Sequence, residues 1–162
     1  MLQNHSLKSL KNFNPNKVPI SIYIHLPWCE KRCPYCDFNI NTNKLDGDEE
    51  RLLAALNQDL QHSMKYIQKR KFCSVYFGGG TPSLVSSKII KRITKNLNDM
   101  HLLKEECEIS FELNPKEVSQ SYLNEIIGAW VNRVSIGIQS FDQGVLDSLE
   151  RNHSTNDSYQ AI

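Results

Sequence analysis

The stretch SIYIHLPWCEKRCPYCDF, residues 21–38, decides the fold and the chemistry that the sequence predicts. It places three cysteines, Cys29, Cys33 and Cys36, within eight residues, directly after a segment that alternates like a strand. Three thiolates do not complete a structural zinc site, which needs four protein ligands. On a cluster of four irons they bind three irons and leave the fourth open to a small molecule. The spacing C-x-x-x-C-x-x-C therefore predicts an iron–sulfur centre with one open iron.

The cysteines alone leave other interpretations open. Cys33 and Cys36 form a C-x-x-C, which is also typical of a redox pair or of half a zinc site. A zinc site can take His25 as its fourth ligand, because this histidine precedes the first cysteine of the motif by four residues. The remaining thiols, Cys73 and Cys107, fall in apolar runs, where cysteine is usually a small core residue.

Outward from this motif, strand-like and helix-like segments alternate along the chain. Apolar alternation or short apolar runs predict strands at residues 21–26, 72–77, 107–114 and 133–139. Helical spacing predicts helices at residues 46–71, after a cap at Ser86 or Ser87, at residues 119–130, and after a cap at Asp142. Strand and helix repeated in this order are typical of right-handed βαβ units and a parallel sheet.

The first two predicted helices each have a clear apolar face. In the helix at residues 46–71 this face consists of Leu52, Leu56, Leu60, Met64 and Ile67. In the helix after residue 86 it consists of Ile89, Ile90, Ile93 and Leu97. Both faces are expected to pack against the sheet.

Polar residues on the predicted strands indicate that the sheet is not covered on both faces. These residues are Tyr23, His25, Glu112, Ser135 and Gln139. In a curved sheet they line the interior, and the site lies at the carboxyl ends of the strands. A closed eight-stranded barrel needs about twice this length. The expected fold is therefore α/β, a partial (incomplete) β/α barrel of four N-terminal βα units with a parallel sheet and an open last strand.

Composition sets the broad class of the protein. The chain has 162 residues, with 19 basic and 18 acidic side chains, so no overall charge attracts nucleic acid or an anionic membrane. It has no apolar run of about eighteen residues that predicts a membrane span, and its N-terminus lacks the apolar core of a secretory signal. Five cysteines, an odd number, suit a reducing compartment. We expect a cytoplasmic protein with a loosely ordered leader at residues 1–17 and one domain at residues 18–162, truncated at its C-terminal side.

The segment YIHLPWC, residues 23–29, together with Cys33, Cys36 and Phe38, resembles the radical S-adenosylmethionine (SAM) superfamily. Within it, the sequence is similar to the oxygen-independent coproporphyrinogen oxidase-like family, and most similar to the heme chaperone branch, HemW. The resemblance covers residues 18–162 and recurs at four places in the same order. It implies a radical SAM core domain in which the three cysteines ligate a [4Fe–4S] cluster and SAM binds the fourth iron.

The resemblance also implies a set of SAM contacts. These are Tyr23 before the cysteines, Gly79, Gly80 and Thr81 in the GGGTPS segment, Glu112 in FELNP, Gln139 in IGIQSF, and Arg151 in LERNHS. Taken singly, each has an ordinary alternative: a strand tyrosine, a glycine-rich turn, a solvated strand glutamate or a surface arginine. The shared order of these positions carries the inference.

The position of Phe38 is a departure that bears on function. Coproporphyrinogen oxidases tend to have a further cysteine two residues after the third ligand, where this chain has Phe38. The resemblance therefore implies a heme chaperone that binds the cluster and exchangeable SAM, carries heme as cargo, and passes it to an unidentified acceptor protein. No catalytic residue is assigned, and neither His25 nor His153 is assigned as a heme ligand.

Three alternatives stay open. One is a radical SAM enzyme that decarboxylates coproporphyrinogen oxidatively through a 5′-deoxyadenosyl radical. Another is a zinc or redox module. The last is an inactive fragment whose apolar interior is left uncovered.

Overall fold

A computed structural model describes residues 14–162 of the chain. The leader predicted at residues 1–17 lies almost wholly outside the described residues. Its last part forms a short 3-10 turn, Pro15–Lys17. No helix within residues 14–162 is long and apolar enough to cross a membrane.

The described chain contains four strands and five α-helices. The strands are β1 (Ile20–Leu26), β2 (Phe72–Gly79), β3 (Leu103–Leu113) and β4 (Arg133–Ile136). The helices are α1 (Asp48–Ile67), α2 (Ser87–Asp99), α3 (Gln120–Ile127), α4 (Gln143–Ser148) and α5 (Thr155–Gln160). Short 3-10 turns at Pro82–Leu84 and Pro115–Glu117 follow β2 and β3.

The four strands form one parallel sheet in the order β1-β2-β3-β4. Each successive strand is reached through a helix, and α2 contacts both α1 and α3, so these three helices form one layer. Because the strand order follows the chain, the sheet is wound in one direction, as in a β/α barrel. Among the described residues β1 and β4 each pair with a single strand. The predicted partial barrel with an open last strand is therefore confirmed.

The core lies between the sheet and the helix layer. Val75 and Phe77 of β2 and Phe111 of β3 are fully buried, and the rings of Phe77 and Phe111 lie 5.9 Å apart. The predicted face of α2 is confirmed, since its four apolar residues are all buried. The opposite face of the sheet carries the polar strand residues.

All five residues of the predicted apolar face of α1 pack against the core, and the structure adds Leu53 to them. Leu53, Leu60 and Ile67 are buried, whereas Leu52 and Leu56 are only partly covered. A spacing of seven residues keeps side chains on one helix face to within about 20°, whereas a spacing of four turns them by about 40° at each step. The residues that α1 buries most deeply are therefore those spaced by seven, Leu53, Leu60 and Ile67.

Two strand boundaries differ from the prediction by more than two residues. The strand β3 begins at Leu103, four residues before the predicted start at residue 107. The strand β4 ends at Ile136 rather than at residue 139, because the amide of Ile138 donates back to the carbonyl of Ile136 at 3.0 Å and the chain turns there. In this turn Gln139 adopts a left-handed conformation with φ of 67°.

Candidate functional site

The loops at the carboxyl ends of the four strands surround one cleft with a volume of about 510 Å³. Its walls include all three cysteines of the motif and six of the seven predicted SAM contacts: Gly79, Gly80, Thr81, Glu112, Gln139 and Arg151. Tyr23 is the predicted contact that does not line the cleft. Its ring lies on the open face of the sheet, 56% exposed.

The cysteine loop, residues 27–41, is closed at its base by backbone hydrogen bonds. The amide of Asn41 donates to the carbonyl of Pro27 at 2.7 Å, and the amide of Cys29 donates to the carbonyl of Asn41 at 3.0 Å. This closure forms an isolated bridge between Trp28 and Asn41. It holds Cys29, the first cysteine of the motif, close to the carboxyl end of β1.

Inside the loop, Arg32 organises the second half of the motif. Its Nη1 donates to the carbonyl of Cys36 and to the carbonyl of Phe38, both at 3.1 Å. The amide of Cys36 donates to the carbonyl of Cys33 at 3.0 Å, which makes a tight turn. Burial raises the pKa of the Cys29 thiol and the charge of the Arg32 guanidinium opposes this rise, while the hydrogen bonds of Arg32 go to the two backbone carbonyls.

The three thiols are free and partly buried. Thr81 Oγ1 lies 3.5 Å from Cys29 Sγ and donates to it, and Arg151 Nη1 lies 3.9 Å from Cys33 Sγ. Burial raises the pKa of Cys29, while the hydrogen bond from Thr81 acts in the opposite direction. Donors from the end of β2 and from the connection between α4 and α5 therefore converge on the sulfur atoms, where they can compensate negative charge.

The glycines at the end of β2 are needed for packing against the cysteine loop. A Cβ on Gly80 would lie 2.5 Å from the carbonyl oxygen of Trp28, and one on Gly79 would lie 2.6 Å from the ring of His25. Gly79 also has a φ of +116°, which disfavours other residues. The amides of Gly80 and Thr81 then donate to Leu26 and Trp28 at 2.8 and 2.7 Å. The triplet is therefore more than a bare turn, because it seats β2 against the loop that carries the thiols.

His25 connects the predicted SAM contact Tyr23 to the cysteine loop. Its Nε2 lies 2.8 Å from the carbonyl of Asn39, and its Nδ1 lies 3.1 Å from the Tyr23 hydroxyl. A carbonyl oxygen only accepts, so the neutral ring must carry its proton on Nε2. The Tyr23 hydroxyl must then donate to Nδ1, which leaves the Tyr23 oxygen able only to accept from a further group.

Glu112 is held in place by a tyrosine of the neighbouring strand. The Tyr76 hydroxyl donates to Glu112 Oε1 at 2.7 Å, and this hydrogen bond is the main reason why the pKa of Tyr76 is raised. The Tyr76 ring stacks on Tyr23 with centroids 6.1 Å apart. A Cβ on Gly78 would lie 3.0 Å from Glu112 Oε2, so this glycine gives the carboxylate its space.

Arg151 spans the cleft between two strand ends and the cysteine loop. Its Nη2 donates to Asn114 Oδ1 at 2.7 Å and to the carbonyl of Gly137 at 3.0 Å, and its Nη1 donates to the Tyr35 hydroxyl at 3.1 Å. Its Nε is buried and has no hydrogen-bond partner among the described residues. A buried unpaired donor is costly, so this atom indicates a missing acceptor such as a carboxylate.

The donor set fits a cluster better than a single zinc ion. Both ring nitrogens of His25 are already engaged, so it is not available as a fourth ligand. Within residues 14–162, no group of three His, Cys, Asp or Glu side chains is close enough to surround one metal ion. Three thiols beside an unpaired guanidinium nitrogen suit a cluster together with a small carboxylate ligand.

Some cleft residues were not predicted. Tyr35 and Asn114 bind Arg151, and Glu30 and Asn152 bind each other across the cleft rim. Asn114 carried a weak signal, since it ends a strand directly before a proline. Tyr35, Glu30 and Asn152 carried no such signal in the sequence, because their bonding partners are 116 or 122 residues away.

The four parallel strands follow one another across the sheet in chain order, and three thiols, a carboxylate and a guanidinium line one cleft at their carboxyl ends. This arrangement is typical of a β/α-barrel protein with a cluster-binding site. The comparison with known families agrees. The profile described as the Radical SAM superfamily matches residues 23–162, and the chain belongs to this superfamily.

Individual relatives place the chain more narrowly. A Haemophilus influenzae protein named heme chaperone HemW is 39% identical over 152 residues, covering 91% of this chain and 40% of the relative. The Escherichia coli heme chaperone HemW is 36% identical over 143 residues, covering 88% and 38%. A Bos taurus protein named radical S-adenosyl methionine domain-containing protein 1, mitochondrial, is 37% identical over 148 residues, covering 91% and 33%.

A solved structure shows the same fold. The Escherichia coli coproporphyrinogen III oxidase (HemN), described as a radical SAM enzyme, aligns with a TM-score of 0.78 and 26% identity, over 96% of this chain and 35% of that one. The predicted resemblance to this family and to its HemW branch is confirmed. The chain spans about two-fifths or less of the length of these relatives.

Proposed function

We propose that this chain carries the cofactor site of a HemW-like heme chaperone, which binds a [4Fe–4S] cluster and exchangeable SAM and passes heme to an acceptor protein. Residues 18–162 then form four βα units of a radical SAM core. The observation that carries the proposal is the convergence of all three motif cysteines and six of the predicted SAM contacts in one cleft. Two relatives are named heme chaperones, and this name supports heme as the cargo.

In this proposal the chain's own groups have distinct tasks. Cys29, Cys33 and Cys36 hold three irons, and Arg151 Nε donates to the carboxylate of SAM. Glu112, fixed by Tyr76, accepts from hydroxyl groups of the ligand. When bound, the cluster and SAM supply one-electron chemistry, whereas the protein supplies orientation.

Phe38 favours the chaperone over the oxidase. It lines the cleft and is 60% exposed. Ligand clefts are lined mainly by apolar and aromatic side chains, which contact the apolar surface of the ligand. A flat hydrophobic macrocycle such as heme is a ligand with such a surface, and a cysteine at this position would offer much less apolar surface.

The free thiols support a cytoplasmic location for this protein. All five cysteines lie within residues 14–162 and are free, which suits a reducing environment. We therefore place the protein in the cytoplasm.

The decisive experiment is anaerobic reconstitution of the chain with iron and sulfide, followed by iron counting and electron paramagnetic resonance. We expect about four irons per chain. Alanine at Cys29, Cys33 and Cys36 together is expected to abolish binding, whereas Cys73→Ala is the matched control and keeps it. Unchanged iron in the triple variant contradicts the site, and one zinc per chain without a resonance supports the zinc module instead.

A second experiment separates chaperone from oxidase. The likeness to the solved coproporphyrinogen III oxidase favours the oxidase as the second candidate. We expect the intact protein, once reconstituted, to bind hemin in an absorbance titration and to leave coproporphyrinogen unchanged. Release of 5′-deoxyadenosine together with decarboxylated porphyrinogen would overturn the chaperone assignment.

A further inference from the structure

Three consecutive residues after α4 reach across the cleft to the cysteine loop. The contacts are Glu150 Oε2 to Lys31 Nζ at 3.5 Å, Arg151 Nη1 to the Tyr35 hydroxyl at 3.1 Å, and Asn152 Nδ2 to Glu30 Oε2 at 2.9 Å. The two hydrogen-bonded pairs are 116 and 122 residues apart in the sequence. We call residues 150–152 the clamp.

The clamp is fixed to the sheet independently of the loop. Arg151 Nη2 bonds the ends of both β3 and β4, through Asn114 and Gly137. The Arg151 amide donates to the carbonyl of Leu146 in α4 at 2.9 Å. On the other side, His153 is buried, and its Nε2 lies 3.1 Å from the carbonyl of Ile138. The clamp is therefore a rigid support.

The middle of the cysteine loop depends on this support. Its base is closed by backbone bonds between residues 27, 29 and 41, and Arg32 bonds only to other residues of the loop. Within residues 14–162, the side-chain hydrogen bonds and ion pairs that join residues 30–36 to residues outside the loop 27–41 all come from the clamp.

We propose that the clamp positions the cysteine loop for cluster binding, with Tyr35 and Asn152 as the positioning residues. A loop that must hold three thiols in one geometry loses conformational entropy when it binds, and a support present beforehand reduces that loss. The Lys31–Glu150 ion pair is exposed and contributes little. The hydrogen bonds of Tyr35 and Asn152 therefore carry the effect. This proposal about the clamp rests on the proposed function in one respect, because it takes the cysteine loop to bind a cluster.

The test compares Tyr35→Phe and Asn152→Ala with the wild-type chain. Tyr66→Phe and Asn156→Ala are matched controls, because both side chains are exposed and lie outside the cleft. The first measurement, on the metal-free chain, is the rate of trypsin cleavage after Lys31 and Arg32, which both lie in the loop. The second measurement is the rate at which a chelator removes iron from the reconstituted chain.

We expect each clamp variant to raise both rates about threefold to tenfold, the effect of losing one hydrogen bond. The controls are expected to match the wild type. Glu30→Ala removes the Asn152 bond from the loop side and is expected to act like Asn152→Ala. This second variant keeps the test valid if Asn152→Ala fails to fold.

The outcomes separate the two proposals. A wild-type chain that binds no cluster contradicts the proposed function, while selective cleavage in the loop of the variants still supports the clamp. A wild-type chain that binds the cluster, with variants that match it in both rates, overturns the clamp alone. Cleavage that rises equally at every Lys and Arg also overturns it, because that indicates general unfolding.

Discussion

At the scale of single residues, His25 shows how one side chain can set the properties of another. Its hydrogen bond to the Asn39 carbonyl fixes the proton on Nε2, so the Tyr23 hydroxyl must donate to Nδ1. Tyr23 then presents only an acceptor to any further group. A ligand that meets Tyr23 must therefore bring a donor.

The first prediction concerns this pair. His25→Phe removes both hydrogen bonds, whereas Tyr23→Phe removes only one. We expect His25→Phe to lower the free energy of unfolding by about 1–3 kcal/mol and Tyr23→Phe by about 1 kcal/mol, measured by urea unfolding. Long-range proton–nitrogen NMR at mildly alkaline pH, where imidazole is neutral, should show the His25 proton on Nε2. A proton on Nδ1 contradicts the assignment.

The second prediction concerns Gly80. An alanine Cβ there would lie 2.5 Å from the carbonyl oxygen of Trp28, which already accepts from Thr81 and cannot move away easily. We expect Gly80→Ala to cost about 1–3 kcal/mol by overpacking, and to reduce the iron retained after reconstitution.

Gly47→Ala is the comparison for this prediction. Gly47 has a φ of +81° but nothing within 4 Å of an added Cβ, so it tests conformational strain without a clash. We expect a loss of about 1–2 kcal/mol with normal iron content. Equal iron loss in both variants would show that the packing against Trp28 is not what matters.

At the scale of elements, the connection between α4 and α5 combines support for the loop with a buried histidine. Burial lowers the pKa of His153, and the charge of Arg151 lowers it further. Its Nδ1 has no hydrogen-bond partner within residues 14–162. The folded state therefore prefers the neutral ring.

The third prediction follows from this preference. Because the pKa of His153 is lower in the folded state than in the unfolded state, the unfolded state binds more protons as the pH falls. The stabilisation is present above the unfolded value of about 6.5 and is lost below it. We expect the free energy of unfolding to fall between about pH 7 and pH 5, and less steeply in His153→Gln. His62→Gln makes the same substitution at an exposed position on α1 and is the matched control. An unchanged slope in His153→Gln excludes this histidine as the cause.

At the scale of the whole molecule, the sheet has open edges. Among the described residues β4 pairs only with β3, over residues 110–113. Val134 on this strand is 41% exposed although its neighbour Phe111 is fully buried. An open edge strand with an exposed apolar side chain favours association between copies.

The fourth prediction is that this chain self-associates in a concentration-dependent way through β4. A charge on an edge strand opposes such pairing, so Val134→Lys should shift sedimentation velocity profiles toward the monomer. Tyr66→Lys adds the same charge at an exposed site on α1 and should leave the profile unchanged. Equal effects of both variants would indicate a general charge effect instead of pairing at the edge.

Much of this architecture could be predicted from local patterns. The alternation of strands and helices, the buried face of α2 and the N-cap positions at Ser86 and Asp142 depend on residues only a few positions apart. Local patterns predicted burial less reliably where a helix carries apolar residues at more than one spacing. In α1 the residues spaced by four and those spaced by seven both pack against the core, and only the structure shows that the second set is the more deeply buried.

By itself, the sequence determined the three thiols, their spacing, and the order of strands and helices, because these depend on neighbouring residues and on the period of the backbone. Only the tertiary structure decided that Arg151 and Asn152 support the cysteine loop, that His25 orients Tyr23, and that the glycines pack against Trp28. Contacts of this kind join residues many positions apart or depend on side-chain direction. They form only when the sheet brings the ends of its strands together.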